Sequence, residues 1–385
     1  MTTRLWYSCS FRAPARRLFM LICVLSLFLP SLTAARAFQP SAPKRPLTHG
    51  DYDRWRSIQG PQLSPDGRFL SYLLMPQDGD GEVVVRQLAT GTEWRYGRGW
   101  RPPLPLDLSD AAAWGGFFNQ IKRLTHAFFT SDSRFALFII EPSREEVAGA
   151  KREKKKRAEL PKNALGVMDL STGRVIRIDR VRSFQLPAEG GDVIAYLLEP
   201  NSEEGAAEKM PKSAGAPDSI ARSVCNRLAC KKPGEYGSEL VLYDLASQRR
   251  RAFADVLEYS LSEDARSLVY TVSSRTGETN GVYVIAPGSD QAPAALLAGA
   301  GRYRRLTWDE GQTQLAFLSD RDEAASERPR YKLYHWDRQA PRAAAIVSVE
   351  TPGFRRGLMI SDQAPLSFSS DGSRLFLGVS PPLKT

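Results

Sequence analysis

The stretch that decides the fold is "LSPDGRFLSYLL", Leu63 to Leu74. Asp66-Gly67 is a strong turn signal, because glycine accepts a positive φ angle and aspartate hydrogen-bonds its own backbone. The residues that follow are rich in strand formers, and a further strand candidate, "EVVVRQLATG" at 82–91, ends in a Thr-Gly turn. The pattern predicts a unit of four strands: strand, Asp-Gly turn, strand, short loop, strand, turn, strand.

Looser copies of this unit recur along the chain. The spacing between their turn acids runs from 45 residues (Asp264 to Asp309) to 75 residues (Glu189 to Asp264). The shortest spacing approaches the roughly 40 to 50 residues of a four-stranded propeller blade. Longer spacings coincide with insertions rich in proline, glycine, alanine or charge. The insertions lie near 97–120, 143–162 and 201–235, and the turn acids are Asp66, Asp132, Glu189, Asp264, Asp309 and Asp371.

The middle strands decide between two all-β folds. "FALFII" at 135–140 is apolar on both faces, whereas a sandwich strand usually alternates apolar and polar residues. A blade strand is covered on both sides by neighbouring blades. We therefore predict an all-β β-propeller of four-stranded blades. A WD40 propeller is disfavoured, because Trp308-Asp309 and Trp336-Asp337 stand at unmatched positions of their units.

We expect residues 38–385 to form this propeller, with about five to six blades present. The sixth copy, at 368–380, holds only about one and a half predicted strands before the sequence stops at Thr385. A propeller needs its last blade sealed to its first, since open strand edges and apolar faces are otherwise exposed. The propeller is therefore expected to be incomplete at its C-terminal end.

Residues 1–37 have the organisation of a bacterial secretory signal peptide. An arginine-rich start precedes an apolar run at 18–29, and Ala35-Arg36-Ala37 matches a small-x-small cleavage site. We predict cleavage between Ala37 and Phe38 and a periplasmic or secreted protein. An uncleaved membrane anchor is disfavoured, because the apolar run of 12 residues is short for a span.

The positive charge of the chain is local. The formal net charge is +10, and the leader contributes five arginines and no acids, which leaves +5 for residues 38–385. The tract "KREKKKR" at 151–157 alone carries six positive residues and one glutamate. A nucleic-acid footprint needs charge spread over a surface, so we expect no nucleic-acid partner. The tract is expected to be a solvated, partly helical or disordered insertion. No segment after the leader predicts membrane contact.

Two cysteines, Cys225 and Cys230, remain after the leader is removed. In an exported protein such a pair predicts a local disulfide. A metal site is disfavoured, because zinc sites need further cysteine or histidine partners and the chain has three histidines. No Walker A, G-x-G-x-x-G or H-E-x-x-H motif occurs, so we predict neither a metal nor another cofactor.

Residues 46–99 carry a resemblance to a known family. "PLTHGDYDRWRSIQGPQLSPDGRFLSYLLMPQDGDGEVVVRQLATGTEWRYGRG" resembles the first blade of exported bacterial serine peptidases of the prolyl-oligopeptidase (S9) type, and "LPKNALGVMDLSTG" at 160–173 resembles the next part. The resemblance implies a propeller of seven or eight blades followed by an α/β-hydrolase domain with a Ser, Asp, His triad. In such enzymes the propeller covers the active site and admits short or flexible peptides.

The chain departs from that family by lacking the hydrolase domain. No nucleophile elbow G-x-S-x-G occurs, and "GVSPP" at 378–382 lacks the second glycine. A serine nucleophile also needs a base within hydrogen-bond reach, and His49, His126 and His335 all have simpler structural interpretations. No catalytic residue is assigned, and whether the chain itself is an enzyme stays open.

One candidate binding pair is carried over from the resemblance. Some relatives hold a substrate's free amino terminus with paired glutamates from a propeller insertion. Glu145 and Glu146 form an adjacent acidic pair in the insertion at 143–162. The alternative is an ordinary charged loop, favoured by the positive tract that begins at Lys151.

These observations leave two functional hypotheses. The first is the substrate-gating propeller portion of an exported S9-type serine peptidase, whose partners are short peptides and the missing C-terminal hydrolase domain. By itself such a chain is expected to be inactive. The alternative is a stand-alone periplasmic propeller of the TolB kind, which binds peptides or envelope proteins.

Overall fold

The structure is a computed structural model that describes residues 46, 48–52, 55–101, 126–156, 159–190, 192–200, 236–326 and 329–382. The chain divides into Met1–His49 and Gly50–Thr385, and the account below concerns the second unit. The predicted cleavage site at Ala37 and Phe38 lies outside the described residues, as do Cys225 and Cys230. The insertion at 201–235 and most of that at 97–120 also lie outside them.

Consecutive strands pair antiparallel in chain order, and we call each set of four a blade. Blade 1 has the predicted order, with the Asp66-Gly67 turn between its first two strands and the Thr90-Gly91 turn between its last two. The predicted four-strand unit is therefore confirmed. Blades 1 and 2 contain β1 (Arg56–Leu63), β2 (Phe69–Pro76), β3 (Gly81–Gln87), β4 (Glu93–Gly99), β5 (Phe128–Phe129), β6 (Phe135–Ile140), β7 (Ala164–Asp169) and β8 (Val175–Ile178).

Blades 3 and 4 share one long strand, β12, which ends blade 3 and begins blade 4. Blades 3 to 5 contain β9 (Val181–Gln185), β10 (Val193–Leu198), β11 (Ser238–Asp244), β12 (Arg250–Leu261), β13 (Leu268–Val272), β14 (Gly281–Ile285), β15 (Ala294–Ala298), β16 (Tyr303–Trp308), β17 (Leu315–Ser319), β18 (Lys332–Trp336) and β19 (Ala344–Val347). The described helices are α1 (His49–Tyr52), α2 (Arg144–Arg152) and a 3₁₀ turn at Arg321–Glu323.

Blade 6 is a pair of short two-stranded ladders, β21 (Leu366–Phe368) with β22 (Leu375–Leu377) and β20 (Met359–Ile360) with β23 (Val379–Ser380). It begins nine residues before the predicted start at Phe368. The first strand was missed because a bend at 361–365 breaks it into two pieces. Each piece is too short to show the alternation that identifies a strand in a sequence.

The blades stack face to face, because their middle strands carry apolar residues on both faces. In β6, Ala136 and Phe138 pack in one core with residues of blade 1, while Leu137 and Ile139 pack in another with residues of blade 3. Successive side chains on a strand point to opposite faces. Apolar cores formed by two adjacent blades also lie between blades 3 and 4, 4 and 5, and 5 and 6. This is the propeller arrangement, so the predicted fold class is confirmed.

The quoted stretch builds a turn from a hydroxyl and a carboxylate. The Ser64 Oγ donates to Asp66 Oδ1 at 2.6 Å and accepts from the Phe69 N–H at 3.0 Å. The same Oδ1 accepts from the Arg68 N–H at 3.0 Å. The hydroxyl-to-carboxylate bond recurs at 2.5 to 2.6 Å in blades 2, 4 and 6. These pairs are Thr130–Asp132, Ser262–Asp264 and Ser369–Asp371.

In blades 1, 2, 4 and 6 the residue after the turn acid has a positive φ angle. The angle is 69° at Gly67 and 68° at Gly372, where glycine bears it without strain. Ser133 at 57° and Ala265 at 54° have the same conformation with a side chain, which is unfavourable for L-residues. The recurrence of Asp-Gly in the sequence therefore has a conformational cause. The copies with Ser133 or Ala265 in place of glycine keep the same turn with some backbone strain.

Blade 5 builds the turn differently from the prediction. Its backbone bond from Asp309 N to Gln314 O corresponds to that from Ser64 N to Phe69 O in blade 1. Asp309 therefore occupies the hydroxyl position rather than the acid position. Its Oδ1 accepts from the N–H groups of Thr313 and Gln314 at 2.8 and 2.9 Å. A carboxylate can replace the hydroxyl as the acceptor in this turn, because it accepts several hydrogen bonds at once.

The turns of neighbouring blades are also joined. The Arg338 Nη2 donates to both carboxylate oxygens of Asp264 at 2.9 Å, which links blade 5 to blade 4. The Arg338 Nη1 reaches the Gln312 carbonyl at 2.9 Å, and its guanidinium lies 5.5 Å from the ring centre of Trp308. Between blades 5 and 6, Gln314 Nε2 donates to the Gly372 carbonyl at 2.9 Å. The turns therefore fasten one blade to the next.

We expect Asp264→Ala to lower the free energy of unfolding by about 2 kcal/mol, because it removes a hydrogen-bonded carboxylate and leaves the Arg338 guanidinium without its anion. Asp371→Ala is the matched control, since the same turn in blade 6 has no described arginine from another blade. The free energy of unfolding should fall less in Asp371→Ala than in Asp264→Ala. Urea unfolding followed by circular dichroism measures both, and equal losses would contradict the cross-blade role of Asp264.

The turn carboxylates should also make stability depend on pH. Partial burial raises the pKa of Asp66, but hydrogen bonds from Ser64 and Arg68 outweigh it and lower the pKa from 3.8 to about 2. A depressed folded-state pKa stabilises above the unfolded pKa, and this stabilisation is lost as the pH falls from about 4 towards 2. Ser64→Ala removes one of the hydrogen bonds that lower the pKa of Asp66. The stability difference between wild type and Ser64→Ala should therefore shrink over that window in urea titrations, and a constant difference would refute the assignment.

Candidate functional site

The connections between strands alternate between two edges of the blades, because each strand runs antiparallel to the one before. The turns described above lie at one edge, which we call the turn edge. Connections from second to third strands, and from one blade to the next, lie at the other, the insertion edge. The predicted insertions at 97–120, 143–162 and 201–235 join β4 to β5, β6 to β7 and β10 to β11. The strand ends that flank all three therefore lie at the insertion edge, and loops of this kind commonly carry function.

A buried ion cluster joins blades 1 and 2 at this edge. Arg98 is 1% exposed, and its Nε donates to the Ile139 carbonyl at 3.3 Å. Its Nη2 lies 3.4 Å from Glu141 Oε2, and the Arg101 Nε donates to Glu141 Oε1 at 3.0 Å. Burial lowers the pKa of Arg98 to about 10, with Glu141 opposing the shift. Arg98 therefore stays charged at neutral pH, and its burial requires the carboxylate beside it.

Gly99 allows this cluster to form. The Glu141 N–H donates to the Arg98 carbonyl at 2.7 Å, and the Trp100 N–H donates to the Pro142 carbonyl at 2.9 Å. Gly99 has φ 82°, and a Cβ there would collide with the backbone of Glu141. The two chain segments can thus meet only at a glycine. The sequence offered no signal for this role, because the partners lie about forty residues apart.

Helix α2 begins beside the cluster with a capping box. Ser143 is the N-cap, and its Oγ accepts from the Glu146 N–H at 3.2 Å. The Glu146 Oε2 accepts from the Ser143 N–H at 2.7 Å. The Arg144 N–H donates to Asp80 Oδ1 at 2.9 Å, and its side chain pairs with Asp78 at 2.8 Å. The helix start is therefore fixed to the second-to-third-strand loop of blade 1.

The predicted amine-binding pair, Glu145 and Glu146, lies in the first turn of this helix. Both side chains are exposed, but adjacent residues on a helix do not face each other. Glu146 is already engaged in the capping box, while Glu145 is available. Substrate-amine binding by the pair stays a prediction, and the geometry favours the simpler role of helix capping for Glu146. Lys151 and Arg152 in the last turn complement the helix dipole.

A second ion network lies at the insertion edge of blade 5. Asp322 accepts from Lys332 Nζ at 2.9 Å and from the Tyr334 hydroxyl at 3.0 Å. The bond from Lys332 lowers the pKa of Asp322 to about 2, while burial raises the pKa of Tyr334 to about 12. Glu323 pairs with Arg330 at 2.6 Å. These groups satisfy one another, which is typical of a structural network.

The first strands of neighbouring blades are linked by side chains. Glu258 on β12 accepts the N–H groups of Arg305 and Leu306 at 2.9 and 3.3 Å, at a register shift of β16. Burial raises the pKa of Glu258, against the effect of these two bonds. The Gln185 Oε1 likewise accepts from the Leu261 N–H at 2.7 Å. Links of this kind hold the first strands of neighbouring blades in fixed register.

The histidine candidate His335 makes an ordinary side-chain contact within blade 5. His335 lies on β18, and its Nε2 is 2.8 Å from Gln314 Oε1. In the described ranges no cluster of three or more His, Cys, Asp or Glu side chains could hold a metal ion. None of the helices described has the length and apolar character needed to cross a membrane.

We expect Glu146→Ala to speed amide hydrogen exchange in residues 144–152 by about threefold, because the capping box is lost. Glu145→Ala is the matched control, since it removes the neighbouring acid from the same helical turn but no capping bond. Mass spectrometry of peptides from the exchanged protein measures both. If the two variants exchange alike, Glu146 has no special role as a cap.

Comparison with known proteins finds likenesses among solved structures only, since no family model and no curated protein matches the chain. The β-propeller domain of the Trilobed protease from Pyrococcus furiosus, which has an open velcro topology, aligns at a TM-score of 0.36 and 10% identity over 86% of each chain. A prolyl endopeptidase aligns at 0.39 and 14% over 85% of this chain and 40% of its own. TolB from Acinetobacter baumannii aligns at 0.29 and 12% over 75% of this chain and 53% of its own. At such identities the likeness concerns the fold alone.

Proposed function

We propose that this chain is the substrate-gating propeller portion of an exported serine peptidase of the prolyl-oligopeptidase type. The observation that carries the proposal is the sequence pattern of residues 46–99, which resembles the first blade of that group and coincides with a complete four-stranded blade. Its partners would be short peptides and an α/β-hydrolase domain outside the sequence described. The signal-peptide pattern of residues 1–37 supports export to the periplasm or beyond.

The structure suggests how a propeller of this kind could select substrates by size. Side chains such as Glu258 and Gln185 tie the first strand of one blade to the first strand of the next. In a propeller the sheets surround a central channel, so first strands held in this way would fix the width of that channel. A rigid passage admits extended peptides and excludes folded proteins. In this proposal the propeller contributes selection, and the chemistry belongs to the hydrolase domain.

The insertion edge is the surface best suited to meet a hydrolase domain or a peptide. The strand ends that flank the three long insertions lie there, as do helix α2 and the Arg98–Glu141 cluster, whereas the turn edge is built of short, internally bonded turns. Of the two exposed acids in the first turn of α2, Glu146 makes the capping-box bonds, whereas Glu145 makes no capping bond. We propose it as the residue of the predicted pair that could contact a peptide amine.

The alternative is a stand-alone periplasmic propeller of the TolB kind, which binds peptides or envelope proteins. The absence of a G-x-S-x-G motif from the sequence favours it. It predicts a monomer that melts in one sharp transition and binds a partner without cleaving it.

We expect the purified chain to hydrolyse no proline- or alanine-type dipeptide anilide above the uncatalysed rate, because it lacks a nucleophile elbow. The coding DNA after the codon for Thr385 should contain a G-x-S-x-G segment within about 300 codons, the length of a hydrolase domain. Fusing that segment to the chain should restore hydrolysis. Enzymatic turnover by the chain alone, or unrelated downstream sequence, would overturn the proposal.

A further inference from the structure

The net charge of the chain after the leader is concentrated in one short segment. Residues 38–385 carry a formal net charge of +5, and the tract at 151–157 carries six positive residues and one glutamate, which is also +5. The rest of residues 38–385 is therefore neutral in sum. The structure describes residues 151–156 of this tract, and we call them the basic tip. A positive charge concentrated in this way attracts an anionic partner.

Most cations of the basic tip lack the carboxylate partners that several exposed arginines have elsewhere. All six residues of the tip are exposed, and Lys155 pairs with its neighbour Glu153 at 2.9 Å. Among the described residues no carboxylate pairs with the other four cations, which are Lys151, Arg152, Lys154 and Lys156. By contrast, Arg56, Arg95 and Arg144 each pair with a carboxylate at 3.0 Å or less. The positive charge of the tip is therefore available to a partner.

The basic tip has a fixed shape, because helix α2 ends in a Schellman motif. The Lys154 N–H donates to the Lys151 carbonyl at 3.1 Å, and the Lys155 N–H donates to the Ala150 carbonyl at 3.0 Å. These are the two bonds that define the motif. Ala150 is buried, and the capping box at Ser143 fixes the other end of the helix. The lysines are therefore held close together instead of being free to separate.

Lys154 occupies the position of this motif that glycine usually takes. Its φ angle is 51°, which is unfavourable for a residue with a side chain. The helix dipole accounts for Lys151 and Arg152 in the last turn, but it does not account for a lysine in place of glycine. Backbone strain at one residue motivates a functional hypothesis for that residue. At Lys154 the property that glycine would lack is the positive charge.

The composition of the basic tip decides which kind of partner fits it. The tip holds four lysines, one arginine and one glutamate, and no apolar residue. A peptide partner is usually recognised through a groove or pockets for its side chains. Lysine is also a point charge, unlike the bidentate fork with which arginine binds a single carboxylate. Attraction to many phosphate groups at once needs neither, and a cluster of about four to eight Lys and Arg residues is typical of contact with anionic lipid headgroups.

We infer that the basic tip docks on the phosphate headgroups of an anionic lipid membrane. Each lysine or arginine near such a surface strengthens binding by about fivefold, and these residues act together because α2 holds them at one end. The contact is electrostatic and reversible, since no apolar side chain of the tip enters the lipid. The sequence alone predicted no membrane contact after the leader, because it does not show that the lysines share one fixed helix end. The inference is independent of the peptidase proposal.

Lysine footprinting of the full chain on vesicles tests this inference. The leader is also basic, so the readout has to be local: acetylation of lysine amines by an N-hydroxysuccinimide ester, followed by mass spectrometry. Vesicles of phosphatidylglycerol and phosphatidylcholine should slow acetylation of Lys151, Lys154 and Lys156 by about threefold or more, and vesicles of phosphatidylcholine alone should not. Lys332 in blade 5, which pairs with Asp322, is the internal control. Protection should disappear when salt is raised from about 0.05 to about 0.5 M.

Paired substitutions separate the basic tip from positive charge in general. Lys154→Gly with Lys156→Gln removes two cations and relieves the strained φ angle, so this variant should melt no lower than the wild type in circular dichroism. The vesicle concentration that half-protects Lys151 should nevertheless rise by about tenfold or more. Arg355→Gln with Arg356→Gln is the matched control, because it removes two exposed cations elsewhere on the chain. It should leave that concentration unchanged.

Four results would overturn the inference. The first is no protection of the tip by phosphatidylglycerol vesicles, and the second is equal protection of Lys332. The third is an equal change in both paired variants, because net charge alone would then explain the binding. The fourth is protection of the tip by inorganic phosphate or a hexaglutamate peptide as strong as that by the vesicles, because the partner would then be a free anion or an acidic protein.

Discussion

Each sheet of blades 2 to 5 buries both of its faces against its neighbours, and the rest of the structure depends on this burial. Complete burial of one large apolar side chain contributes about 1.5 to 3 kcal/mol, whereas a hydrogen bond contributes about 1 kcal/mol net. Phe138 and Phe317 are completely buried between different pairs of blades. Stacking therefore outweighs the turn bonds as a source of stability, and the turns mainly set which residues stack.

The turn edge and the insertion edge differ in the contacts that they make. At the turn edge a hydroxyl and a carboxylate fix the start of the second strand, as Ser64 and Asp66 do for Phe69. This bond decides which side chains face the preceding blade. At the insertion edge the chain is longer and more polar, and its contacts join segments distant in sequence, such as Arg98 with Glu141. Insertions between these strands can therefore vary in length without disturbing the stack.

The proposed gating role would need a passage of fixed width between the blades. The bonds made by Glu258 and Gln185 hold the first strands of neighbouring blades together, which is what that proposal requires.

The sequence by itself determined the repeating unit, because turn chemistry and alternation of apolar residues act within about ten residues. Ser64, Asp66 and Gly67 predicted the first turn, and "FALFII" predicted a strand covered on both sides. The tertiary structure alone decided the function of Arg338, Glu141 and Gly99, whose partners lie about forty or more residues away. It also decided that Asp309 takes the place of a hydroxyl, since only the closing bond at Gln314 fixes its register. Contacts between distant residues depend on how blades stack, and no local pattern encodes that.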